Sequence, residues 1–161
     1  MDQPLSLRPG TETDLPSIVS LFTDSVHQLA ARSYTPEQRA AWAPETPDLA
    51  QWRSRLSRVD TVIAESDGTM AGFISFTAGG HIEFLFTAPA FSRRGVASLL
   101  YEAALERLLG KGVRTLTTEA SLEARPFFES RGFSVVEAQT VERDGVQLQR
   151  FAMARCLSQS E

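Results

Sequence analysis

Histidine and cysteine are almost missing from this chain of 161 residues, where His27, His81 and Cys156 are the only ones. One cysteine cannot close an internal disulfide, and with two histidines it cannot complete a four-ligand structural zinc site. No metal or disulfide framework is therefore expected, and a lone thiol points to a reducing compartment. Runs of like charge are also lacking: 16 basic residues stand against 20 acidic ones, net −4, with no cluster that would hold nucleic acid. No stretch approaches eighteen uninterrupted apolar residues, and Met1-Asp2-Gln3-Pro4 does not begin a basic and then apolar leader. The expectation is a cytoplasmic protein without a membrane or nucleic-acid partner. Neither Gly-x-x-x-x-Gly-Lys-Ser/Thr nor a Gly-x-Gly-x-x-Gly after a strand occurs, so the common P-loop and dinucleotide-binding readings fall.

What is present is an ordinary globular composition, 42% hydrophobic and 22% charged. A chain of this length can bury roughly 70% of the surface it exposes when unfolded, and one domain over residues 1–161 is the expectation. Leu5 to Arg8 reads as a short strand. After Thr13 or Asp14 as N-cap, Leu15, Ile18, Val19, Phe22, Val26 and Leu29 form one helical stripe. Thr35-Pro36-Glu37-Gln38 is a capping box, and Thr46-Pro47 opens another short helix with Leu49, Trp52 and Leu56 inward. Asp67-Gly68 joins a hairpin, and Gly79-Gly80 turns the chain into a strand over Ile82 to Thr87. A helix over Arg94 to Leu109 and a strand over Val113 to Glu119 then make a right-handed crossover between parallel strands. A helix over Ser121 to Arg131 follows, and Asp144-Gly145 centres a last hairpin of Phe133 to Val141 with Val146 to Ala154. The class is α+β, with a mixed, mainly antiparallel sheet flanked by four to five helices.

The most informative stretch is Leu85 to Leu100, a strand running through Ser92-Arg93-Arg94-Gly95-Val96-Ala97 into an amphipathic helix. Glycine lets the backbone approach a ligand closely, and the unpaired N–H groups of a first helical turn suit a pyrophosphate. By itself this turn could equally be a plain helix entrance with solvated arginines. It resembles, however, the Gln/Arg-x-x-Gly-x-Gly/Ala motif of the GNAT superfamily of N-acetyltransferases. Ser6-Leu7-Arg8-Pro9 before a helix, the Asp67-Gly68 hairpin and Ala124-Arg125-Pro126-Phe127-Phe128-Glu129-Ser130-Arg131-Gly132-Phe133 are similar to the family pattern in the same order.

The resemblance implies a seven-stranded sheet splayed between the fourth and fifth strands, with acetyl-CoA as co-substrate in the opening. It also implies cofactor contacts from Leu85, Phe86 and Thr87, a pyrophosphate cradle of Arg93, Arg94, Gly95, Val96, Ala97 and Ser98, and a place for Phe128 beside the sulfur. Ser92 stands where the family carries Gln or Arg, and Phe128 where it often carries a proton-donating tyrosine. The reaction implied is acetyl transfer to a primary amine of a small molecule, peptide or protein. A domain that binds acetyl-CoA as a sensor without turnover is the alternative, and a homodimer stays open.

The chemistry needs a base for the ammonium and a proton for the departing thiolate. In His81-Ile82-Glu83-Phe84-Leu85-Phe86, a period of two sets His81, Glu83 and Leu85 against Ile82, Phe84 and Phe86. Glu83 is the candidate base; a carboxylate paired at the surface is its plain reading, and His81 is the weaker candidate. Ser121, which could also be a simple N-cap, is the best-placed hydroxyl to protonate sulfur. The resemblance places the acceptor among the end of the first helix, Tyr34 to Trp52 and the final hairpin. His27 reads as solvent-exposed and Trp52 as core.

Overall fold

Both Asp-Gly pairs turn the chain tightly. Asp67 and Gly68 have φ of 51° and 78°, Asp144 and Gly145 of 52° and 78°, the two consecutive left-handed residues of a type I′ hairpin. In the computed structural model, which describes residues 4–157, they join β2 (Asp60–Ser66) to β3 (Thr69–Phe76) and β6 (Ser134–Arg143) to β7 (Val146–Cys156). Residues 1–3 and 158–161, the ends of the expected domain, lie outside the described residues. With β1 (Ser6–Pro9), β4 (His81–Thr87) and β5 (Thr115–Ser121) the strands form one seven-stranded sheet, ordered β1-β2-β3-β4-β5-β7-β6. Every pairing is antiparallel except β4 with β5.

The sheet is covered on both faces. Alternation along β2 and β3 sends Val62, Ala64, Ile74 and Phe76 toward α4 (Val96–Gly110) and α5 (Arg125–Ser130), while Ile63 and Phe73 pack with α1 (Leu15–Leu29) and α3 (Leu49–Leu56). That is why these strands read as nearly continuous apolar runs. The capping box forms at α2 (Pro36–Trp42): the Gln38 N–H donates to Thr35 Oγ1 at 3.1 Å, and the Thr35 N–H to Gln38 Oε1 at 2.9 Å. Among the described residues no helix is long and apolar enough to cross a membrane.

Three expectations are corrected. The helix after β4 begins at Val96 rather than Arg94, because Arg93 and Gly95 both adopt left-handed φ, 61° and 80°. The next helix begins at Arg125 rather than Ser121, since β5 stays paired with β7 up to Ser121 opposite Arg150. Leu49 is 46% exposed rather than inward, because α3 starts there under an Asp48 cap and turns Trp52 to the core.

The first strand and helix are fastened by a buried carboxylate. Asp14, the N-cap of α1, accepts two bonds from the Arg8 guanidinium, at 2.8 and 2.9 Å, and one from the Thr11 N–H at 2.8 Å. Chiefly through the Arg8 bonds its pKa is lowered from 3.8 to about 2. A pKa lowered by folding contributes stability that is complete above the unfolded value and fades as pH falls toward the folded one. Asp14→Asn should therefore lower the unfolding free energy by about 2 kcal/mol at pH 7. Paired denaturant titrations should show the gap closing between pH 4 and pH 2.

Candidate functional site

The parallel pair at the centre of the sheet is short. β4 and β5 are in register only at His81 with Thr117 and Ile82 with Thr118, where Thr118 Oγ1 donates to the Ile82 carbonyl at 3.0 Å. Beyond this, β4 follows β3 as far as Thr87 and β5 follows β7 as far as Ser121. The sheet opens between them. A bulge sits at the fork: Ser75 opposes Phe84 and Phe76 opposes Ile82, which leaves Glu83 as the extra residue. It overturns the simple alternation expected for β4. Ile82 and Leu85 pack with α4, Phe84 and Phe86 pack with α1 and α3, and Glu83 meets Arg55 of α3.

A cavity of about 740 Å³ lies on that side. Phe22, Trp42, Trp52, Phe84 and Phe86 line one wall, with Trp52 stacked on Phe84 at 4.9 Å between centroids and Phe22 edge-on to Phe86 at 4.8 Å. The lining beside it is charged. Glu83 is paired with Arg55, whose guanidinium lies 4.6 Å above the Phe84 ring. His81 Nδ1 is 2.8 Å from Thr117 Oγ1, and its Nε2 is 3.8 Å from Glu83 and 3.5 Å from Glu119. Glu119 in turn binds Arg150 at 2.5 Å. His81 is thus half-buried between two carboxylates rather than solvated at a strand entrance.

The turn from β4 to α4 contains Pro89–Phe91 in a single 3-10 turn, then Ser92, Arg93, Arg94 and Gly95. A Cβ on Gly95 would find nothing within 4 Å, so the backbone there borders open space, and Val96, Ala97 and Ser98 form the first turn of a fifteen-residue helix. Their N–H groups have no carbonyl four residues back in the helix and point along its N-terminal axis. Val96 is placed by Gly72 of β3, where a Cβ would come 2.7 Å from Val96 Cγ1 and 2.8 Å from the Phe86 carbonyl. Arg94 stacks on Phe91 at 4.9 Å, and Arg131, just after α5, bonds to Ser98 Oγ. Both the open backbone and the arginines fit a polyphosphate.

Ser121 ends β5, and its Oγ accepts the Ala124 N–H at 3.1 Å, which leaves the hydroxyl proton free to be donated into the cavity it lines. Phe128 is 3% exposed and packs edge-on against Phe127 and Phe133. Aromatic rings surround it there. Tyr34 is occupied structurally: its hydroxyl donates to the Gln149 carbonyl at 2.7 Å and accepts the Leu122 N–H at 2.9 Å, and burial raises its pKa. His27 is not exposed as expected; its Nε2 is 2.7 Å from the Ala43 carbonyl, so it ties α1 to the end of α2. Among the described residues no group of three or more His, Cys, Asp or Glu is placed to hold a metal ion.

A family model for the acetyltransferase (GNAT) domain matches residues 30–155. The chain belongs to the GNAT family. It is 36% identical over 146 residues, 91% of this chain and 90% of the other, to the uncharacterised N-acetyltransferase YafP of Escherichia coli. A GCN5-related N-acetyltransferase from Rhodopseudomonas palustris superposes with a TM-score of 0.91 at 33% identity, covering 98% of this chain and 99% of that one. The PaiA N-acetyltransferase of Thermoplasma acidophilum, solved with coenzyme A, shares the fold at a TM-score of 0.75 and 18% identity, over 95% of this chain and 99% of that one. As a GNAT member the chain is an N-acetyltransferase with acetyl-CoA as co-substrate and an amine as acceptor.

Arg55, Glu119, Arg150 and Arg131 were not singled out by sequence. Two had a local signal: Arg55 lies one helical turn after Trp52, and Glu119 shares the β5 face of Thr117 and Ser121. Two outcomes test the site. Gly95→Asp adds a side chain and an anion on the open side of the turn, and should weaken acetyl-CoA binding at least tenfold in calorimetry of the folded variant. Tyr34→Phe strands the Gln149 carbonyl and the Leu122 N–H; it should cost about 2 kcal/mol of stability and raise the acceptor KM while leaving acetyl-CoA affinity unchanged.

Proposed function

We propose that this GNAT enzyme acetylates a primary amine of a small molecule or peptide by direct attack, with Glu83 as general base and Ser121 as proton donor to the leaving thiolate. The observation that carries the reading is the bulge, which turns the Glu83 carboxylate into the cavity at the point where β4 and β5 part. Bound acetyl-CoA supplies the thioester: the acceptor nitrogen bonds to its carbonyl carbon, the carbon–sulfur bond breaks, and CoA leaves as the thiol. Residues 93–98 hold the pyrophosphate, and the edges of Leu85 to Thr87 pair with the pantetheine arm. The acceptor enters as an ammonium ion and gives one proton to Glu83, directly or through one water. Continuing the β4–β5 register beyond the fork sets Ser121 across the opening from Leu85, where its free hydroxyl proton is at hand for sulfur. The setting read for this chemistry is the cytoplasm.

Glu83→Gln keeps the shape and removes the proton acceptor. Its kcat should fall by roughly 10²-fold or more, with acetyl-CoA affinity retained, in an assay of acetyl-CoA-dependent thiol release. Wild-type turnover across pH 6 to 9 would make Glu83 a structural ion-pair partner only.

A further inference from the structure

We infer that the acceptor carries its own carboxylate a few bonds from the amine: an α-amino acid with a large apolar side chain. This deepens the acetyl-transfer reading above and rests on it. The proposed base has a partner of its own. Glu83 is bound directly by Arg55, with 46% of the arginine side chain and 26% of the glutamate side chain exposed. Arg55 occupies Oε1 of Glu83, so an ammonium ion that binds the other oxygen sets two cations on one carboxylate. A plain amine therefore brings one excess positive charge, and once Glu83 takes the proton the Arg55 guanidinium loses its counter-ion and keeps the Phe84 face and water, at a cost set by how far the cavity is closed. An acceptor with its own carboxylate restores the balance, its ammonium on Glu83 and its carboxylate on Arg55. The planar guanidinium fork is suited to bidentate recognition of that group.

The same exchange helps the chemical step. When Glu83 accepts the ammonium proton it loses its charge, and the carboxylate on Arg55 keeps the pair neutral throughout. The surroundings agree in sign. Around His81 two arginines face two carboxylates, Arg55 with Glu83 and Arg150 with Glu119, and over the whole lining Asp48, Asp144 and Arg143 bring the count to four carboxylates and three arginines, close to balance. A site for polyamines would call for acids in excess, whereas a balanced one suits a ligand bearing both charges. The apolar body has a place on the aromatic wall, where Trp52 stacks on Phe84 and Phe22 and Trp42 stand edge-on. A site built around a charged pair rejects the analogue lacking one partner more strongly than it rejects a change of apolar size.

Initial rates of thiol release from acetyl-CoA test this with phenylalanine and leucine, each beside its decarboxylated amine and its carboxamide. In the wild type the free amino acids should exceed both analogues in kcat/KM by at least tenfold. In Arg55→Gln that preference should fall to within about twofold. Comparing the preference between the two proteins cancels the intrinsic reactivity of each amine. Equal or faster turnover of the decarboxylated amines overturns the inference and leaves the acetyl-transfer reading standing. Faster turnover of the carboxamides also overturns it, in favour of a peptide N-terminus. Preference for the free acids that persists in Arg55→Gln overturns the inference as well, because Arg55 is the group that carries it. Absence of release with every amine, although acetyl-CoA binds, contradicts the acetyl-transfer reading itself.

Discussion

Two residue pairs hold β4 and β5 together, and the rest of the site depends on their being only two. Backbone N–H and C=O groups in the middle of a sheet must find partners. Here each strand keeps its outer neighbour, β3 or β7, while the inner edges diverge. The closed end of the fork is tightly fastened. His81 reaches Thr117, Thr118 reaches the Ile82 carbonyl, and Gly80, at φ 102°, sits so near β5 that a Cβ would lie 2.7 Å from the Thr115 carbonyl. Closure at one end, with no β4–β5 pair beyond Ile82 and Thr118 among the described residues, suits a ligand arm that carries amides of its own.

The elements around the fork converge on it for separate physical reasons. Gly72 lets the first residue of α4 sit directly on β3, which sets the N-terminus of a fifteen-residue helix at the mouth of the opening. The Glu83 bulge rotates β4 so that its two phenylalanines leave the α4 side and join the aromatic cluster under α1 and α3. Tyr34 braces the far side, linking the chain between α1 and α2 to β7 and to the turn after β5 with one hydroxyl. The phosphate binding, proton transfer and acceptor selection proposed above therefore draw on different parts of the chain that meet at one place.

Much of this was legible in the sequence, because the signals were local. Both Asp-Gly turns, the Thr35 to Gln38 capping box and the Gly95 helix entrance depend on backbone preferences of a few neighbouring residues. What was missed depends on distant pairing. Ser121 looks like a helix cap and does accept the Ala124 N–H, yet seven ladder positions with β7 keep it in a strand. The bulge at Glu83 has no glycine or proline to announce it, since the mismatch arises between β3 and β4. Arg55 looks like an ordinary solvated helix residue until the fold brings Glu83, 28 residues away, against it. Phe128 reads as a site residue by resemblance, and in the structure it fills the core.

The proposed place of acetyl-CoA is the fork, along the inner edge of β4 and against the start of α4. Backbone amide hydrogen exchange with and without acetyl-CoA tests that placement directly, residue by residue. Protection should rise most at Leu85 to Thr87 and at Gly95 to Ser98, with little change at β1, β2 and the β6–β7 turn. Greatest protection instead around the second cavity, between the β1–α1 connection and the end of α3 near Arg53 and Arg107, or no protection in the fork under saturating acetyl-CoA, would contradict it.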